Sequence, residues 1–196
     1  AVSVPEDRLG ANAWSQVTEV LEITLASAER GVSRVVRQNL GMTARAAHTV
    51  VRVQPNCHGV LVFESRGQAL LAELVEIVLE PGSSLEMVSL QEWTEESIHH
   101  SAQFGRVEKD AELTHFVASM GGQIVVVNPS IELAEQGASG QLYGVYFAEQ
   151  GQHIEDRVYV HHVGAETKSR VSYKGALQGA GARTVWVGDV LIGQDA

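Results

Sequence analysis

The chain has 196 residues, 44% of them hydrophobic, a formal net charge of -10 and a pI near 5.2. That is enough apolar material for a real core, as one domain or one elongated repeat array, while the acidic balance argues against a sequence-independent grip on nucleic acid. No run of eighteen or more apolar residues exists to span a bilayer.

The opening AVSVPEDRLG lacks the basic and apolar regions of a secretory signal, and residues 1–16 mix Pro, Gly and polar residues as a lead-in. Leu21, Ile23 and Leu25 alternate with polar neighbours, so a first strand ends near Ala26. In ERGVSRVVRQNL, Val32, Val35 and Val36 fall at helical spacing, and a short helix or a surface turn is expected. Thr49–Val53 and Val60–Phe63 read as strands around a turn at Gln54–Gly59. Gln68–Leu79 has two readings. Leu71, Leu74, Val75 and Val78 would line a helix face, whereas Glu73, Val75, Ile77 and Leu79 would line a strand face.

Beyond residue 80 a repeat decides between them. Leu85, Leu113, Leu142 and Val171 each begin an apolar run, at spacings of 28, 29 and 29 residues. Ile98, Val126, Ile154 and Val185 form a second set, out of step with the first. Such a period predicts stacked coils, each with two short strands and two corners. With 19 glycines and no convincing long helix, the expected class is all-β: a parallel β-helix or two-sheet stack.

With the turns placed, GVYFAEQGQHIEDRVYVHH (Gly144–His162), SRVSYKGALQG (Ser169–Gly179) and TVWVGDVLI (Thr184–Ile192) resemble the SufD branch of the SufB/SufD family, scaffold proteins of iron–sulfur cluster assembly. A fainter match runs through Leu74–Trp93. The resemblance implies a right-handed parallel β-helix over residues 46–196, preceded by a partly irregular lead-in over residues 1–45. It turns Gln68–Leu79 into strand. It implies a SufB-like partner bound through the β-helix and a SufC-like ATPase bound through a C-terminal helical region. A further strand section and those helices would follow Ala196, so the chain reads as a C-terminally truncated core. An uncapped last coil invites association with SufB or with a second copy through the sheet edge. The resemblance places an iron–sulfur cluster and reduced flavin in the assembled complex only, with no cofactor in this chain. It also implies a cytoplasmic setting and family-landmark positions at Gln152, His153, His162, Ser169, Lys174 and Gly175, serving structure or a cluster path. In the SufB branch the lysine matching Lys174 is a candidate for a sulfur route; here the structural role is favoured.

Several residues invite sharper readings. His99–His100 and His161–His162 suggest a metal, but neighbours in a strand point to opposite faces, so each pair supplies one inward ligand. Gly151-Gln-His153 resembles a cupin motif. A cupin-like metalloenzyme using His153, His161 or His162 is therefore the rival reading, although the required His-x-His and glutamate spacing is missing. Cys57, beside His58 in PNCHG, is expected to be an incidental thiol, because adjacency in sequence does not bring a catalytic pair together. It cannot close an intrachain disulfide, which fits a reducing cytoplasm. Nor can it alone supply the usual four thiolates of a cluster. GAGAR lacks the P-loop spacing and Gly-x-Ser-x-Gly is missing, so no enzymatic activity is expected of the chain itself.

Overall fold

Short strands with one apolar face, joined by small-residue corners, can bury that face only against the coils before and after them. In the computed structural model, which describes residues 2, 4–5, 7–194 and 196, thirteen strands do so in a parallel β-helix. One seven-stranded sheet stacks β1 (Leu21–Leu25), β3 (Gly41–Val53), β5 (Ala69–Leu79), β7 (Ile98–Val107), β9 (Ile124–Leu133), β11 (His153–His162) and β13 (Arg183–Ile192) in that order. The facing six-stranded sheet stacks β2 (Gly31–Gln38), β4 (His58–Gly67), β6 (Ser84–Trp93), β8 (Glu112–Met120), β10 (Ser139–Ala148) and β12 (Lys168–Leu177). Every pairing is parallel, and partners lie between 26 residues apart, as His58 and Ser84, and 30 apart, as His153 and Arg183.

Register sorts inward side chains into columns. Val51, Ile77, Gly105, Ile131 and Val160 form one; Leu61, Met87, His115, Leu142 and Val171 face it from the other sheet. These apolar columns meet as the main core. Cys57 is buried in it, while His58 turns away, with Nδ1 2.8 Å from Ser84 Oγ.

Corners stack as well. Asn56 adopts a positive φ of 56°, and its side chain fills the space where a Cβ on Gly82, one coil on, would lie. Asp110 and Gly137 repeat the arrangement.

Gln68–Leu79 is strand β5, as the repeat and the resemblance led us to expect, with Glu73, Val75, Ile77 and Leu79 inward. ERGVSRVVRQNL is neither helix nor surface turn: Gly31–Gln38 is strand β2, paired along its length with β4. Val35 packs on the core while Val32 and Val36 face outward. The stacking period holds, but the chosen anchors do not all share columns. Leu113 is level with Gly140, two residues short of Leu142, and Ile98 is level with Ile124, not Val126. The expected boundary at 45/46 falls inside β3.

Within the lead-in, Ala1, Ser3 and Glu6 lie outside the described residues, and Arg8–Gln16 forms helix α1. Its N-cap Asp7 accepts a hydrogen bond from Gly10 N at 2.8 Å, satisfying one of the free first-turn donors. α1 lies across the outer face of β3, β5 and β7, where Ala13 packs with Leu74, Ala102 and Phe104.

Gly121 has φ +98°, and a Cβ there would strike the Trp93 carbonyl oxygen. Gly121→Ala should therefore lower stability by about 2 kcal/mol or more. Gly31→Ala, whose Cβ would meet nothing within 4 Å, should stay within about 0.5 kcal/mol. Urea unfolding midpoints of the two variants test this difference.

Candidate functional site

Beside the apolar columns runs a seam of inward polar side chains. Arg37 on β2 reaches Glu73 on β5 at 3.0 Å and Thr49 Oγ1 on β3 at 3.1 Å, with its guanidinium 4.8 Å from the Phe63 ring centroid. Glu73 also receives His99 Nε2, from β7, at 3.0 Å. The His99 ring meets Trp93 edge-on, with centroids 5.3 Å apart. Trp93 Nε1 donates to Gln91 Oε1 at 3.0 Å, and Gln91 donates to Ser89 Oγ at 2.8 Å. One connected set therefore passes from the six-stranded sheet to the seven-stranded sheet and back. Glu73 and His99 are 3% and 0% exposed.

Burial alone would raise the Glu73 pKa, but Arg37 and His99 hold it down to about 2. Asp156, on β11, occupies the same inward column three coils on, through Ser101 and Val127. No basic partner meets it among the described residues. Burial, with Glu155 beside it, pushes its pKa up to about 7. Its Oδ1 and the nearby Tyr173 hydroxyl both lack hydrogen-bond partners among the described residues. Tyr173 is likewise shifted upward, by burial and then by Asp156. His115 interrupts an apolar column with both ring nitrogens unpartnered, and burial lowers its pKa to about 4. The interior thus holds one neutralised ion pair, one acid that titrates near neutrality and one imidazole kept neutral.

The landmark positions do not converge on one point. His162 points inward and is held by Thr167 Oγ1 and Ser169 Oγ, each 2.8 Å from a ring nitrogen. Gln152 braces a corner, its Oε1 accepting Glu149 N at 2.8 Å. Gly175 leaves room for the Tyr146 ring, and Gly144 reciprocally for the Tyr173 ring. Lys174 lies on the outer face of β12, and His153 and His161 on the outer face of β11. His153 Nε2 sits 3.2 Å from Glu155. The cupin-like constellation does not form: His162 is on the opposite side of the sheet from the other two, and the coils are not a closed barrel. Among the described residues, no three His, Cys, Asp or Glu side chains are grouped to hold a metal.

As alternation requires, His99 points in and His100 out, with His100 Nε2 3.2 Å from Asp7 of α1. Arg37, Glu73, Gln91, His115 and Asp156 do not stand out as site residues from sequence. Their only prior signal is a polar residue at an inward position, which register alone reveals.

Residues 35–196 match the family described as SUF system FeS cluster assembly, SufBD core domain. An iron–sulfur cluster assembly SufBD family protein of Mycobacterium bovis is 36% identical over 96% of this chain and 50% of its own length. One of Mycobacterium leprae is 34% identical over 98% of this chain and 52% of its own. A second SufBD family protein of Mycobacterium leprae is 24% identical over 67% of this chain and 15% of its own length. The chain spans about half the length of the first two relatives. No solved structure matches it significantly.

Glu73→Gln leaves a buried guanidinium without its counter-charge and should cost about 3 kcal/mol or more, whereas Glu73→Leu combined with Arg37→Met should recover much of that loss. Equilibrium urea unfolding of the single and double variants reads this directly. For Asp156, between about pH 4 and 7 the unfolded chain releases a proton that the folded chain retains, so stability falls as pH rises through that window. Asp156→Asn should match the parent near pH 4 and exceed it by about 2–4 kcal/mol at pH 7.5. A gap that does not change with pH would contradict the assignment.

Proposed function

The chain belongs to the SufBD core family of the SUF iron–sulfur cluster assembly system, and from this premise we propose that it is a SufD-like scaffold component. It works beside a SufB-like paralogue and a SufC-like ATPase in the cytoplasm. The observation that carries the reading is the family match across 35–196 together with an unbroken stack of parallel coils over those residues.

The role is positional. Coils locked by backbone ladders present two broad faces at fixed separation around an apolar core, so groups on a docked partner are held without reorganisation. The iron–sulfur cluster is cargo in this reading. The only thiol, Cys57, is packed into the apolar core, so the chain's contribution is a surface and not a ligand set. ATP hydrolysis and reduced flavin belong to the assembled complex. Gln152, His162, Ser169 and Gly175 serve by shaping corners and close contacts between coils.

The test is co-expression of the tagged 196-residue chain with a SufB-like and a SufC-like protein from one organism. The chain should retain the SufB-like protein and hold well below one iron per chain after anaerobic reconstitution. A brown, stoichiometrically loaded chain, or one that captures neither protein, would refute the proposal.

A further inference from the structure

The outer face of the seven-stranded sheet carries α1, while no described element packs on the outer face of the six-stranded sheet. That uncovered face is not uniformly polar. Val62, Val88, Phe116 and Tyr143 are level on β4, β6, β8 and β10, with Leu90 and Val145 in the adjoining outward column. They form a contiguous flat apolar deck of the kind that marks an interaction surface. Beside it, outward positions of β12 carry Lys168, Arg170 and Lys174, all exposed. None of these three has an ion-pair partner among the described residues, unlike Arg30, Arg34 and Arg66 at the far end, which pair with Glu86 and Glu64.

We infer that the outer face of the six-stranded sheet is a docking surface for an acidic protein partner, whose apolar side chains cover the deck and whose carboxylates meet the β12 cations. Charge selects this occupant. On a chain of net charge -10, a row of three unpaired cations is a local reversal of sign that steers an acidic surface and fixes its register. A second copy fits poorly. A two-fold pairing about an axis along β8 would set β12 against β4, where Arg66 stands and Glu64 is already paired. The inference does not depend on the scaffold reading.

The test titrates the isotopically labelled 196-residue chain with a glutamate-rich glutamate–tyrosine random copolymer, followed by amide NMR shifts. Polyglutamate, phosphatidylserine vesicles and sedimentation of the chain alone are separate arms. Saturable shifts confined to β4, β6, β8, β10 and β12, weaker with polyglutamate, are expected. The exposed triple variant Lys168→Glu, Arg170→Glu, Lys174→Glu should bind the copolymer at least about tenfold more weakly, and Phe116→Ser should weaken it without removing the salt dependence. Shifts on the seven-stranded sheet, an unaffected triple variant, or vesicle binding in place of copolymer binding would each overturn the inference. So would a dimer in sedimentation that Phe116→Ser abolishes, or a full-length family member whose own chain already shields this face from the copolymer.

Discussion

Register governs this molecule. Each strand takes its backbone partners from the coils on either side, 26 to 30 residues away, so an inward side chain has the same position in neighbouring coils as its nearest companion. Water cannot satisfy a polar group in such a column, and helix-style neighbours three or four residues away do not exist. The partner comes from two residues along the same strand, as for Trp93 and Gln91, from a neighbouring coil or from the facing sheet. Glu73 and His99, 26 residues apart, are such a pair. Arg37 reaches across from the other sheet to complete it.

The same constraint explains why two acids in one column behave oppositely. Glu73 and Asp156 are both nearly inaccessible, so desolvation penalises ionisation at both. At Glu73 a guanidinium and an imidazole outweigh that penalty; at Asp156 the charge that acts on it is another carboxylate, Glu155, which adds to the penalty. The difference therefore lies in the neighbouring coils. A buried ion pair of the Arg37–Glu73 kind is weak evidence for net stability, because both charges leave water. It does specify geometry, since it forms only when β2 and β5 face each other in one register.

Much of the fold could be read from the chain because alternation and period are backbone properties. The opposed directions of His99 and His100 follow from a strand's pleat, and the two short strands around Pro55 and Asn56 follow from turn chemistry. Local pattern ran out where a second layer or a second coil intervenes. In Gln68–Leu79 both faces are covered, the inner by the core and the outer by α1 over Leu74, so alternation is lost. In Gly31–Gln38, helical spacing of three valines came from two outward residues and one inward residue on an end strand. The polar seam had no local signature: Arg37 and Glu73 meet across the two sheets, a relation invisible until coil lengths are known to within one residue. An anchor misplaced by two residues, as Val126 for Ile124, keeps a side chain on its face but assigns it the wrong neighbours.

The SYKG block shows why a recognisable strand motif need not mark one site. Tyr173 and Gly175 point inward, and their roles are reciprocal with β10: Tyr173 lies over Gly144, and Tyr146 lies over Gly175. Each ring occupies space that the opposing residue vacates by lacking a Cβ, which locks β10 to β12 through shape. Lys174 between them is turned by the pleat to the opposite face, where its ammonium stays hydrated and remote from the seam. Three successive residues thus belong to two separate environments. Any role for the lysine must be argued from the outer face and its neighbours Ser172 and Val145, and any role for the tyrosine from the interior beside Asp156.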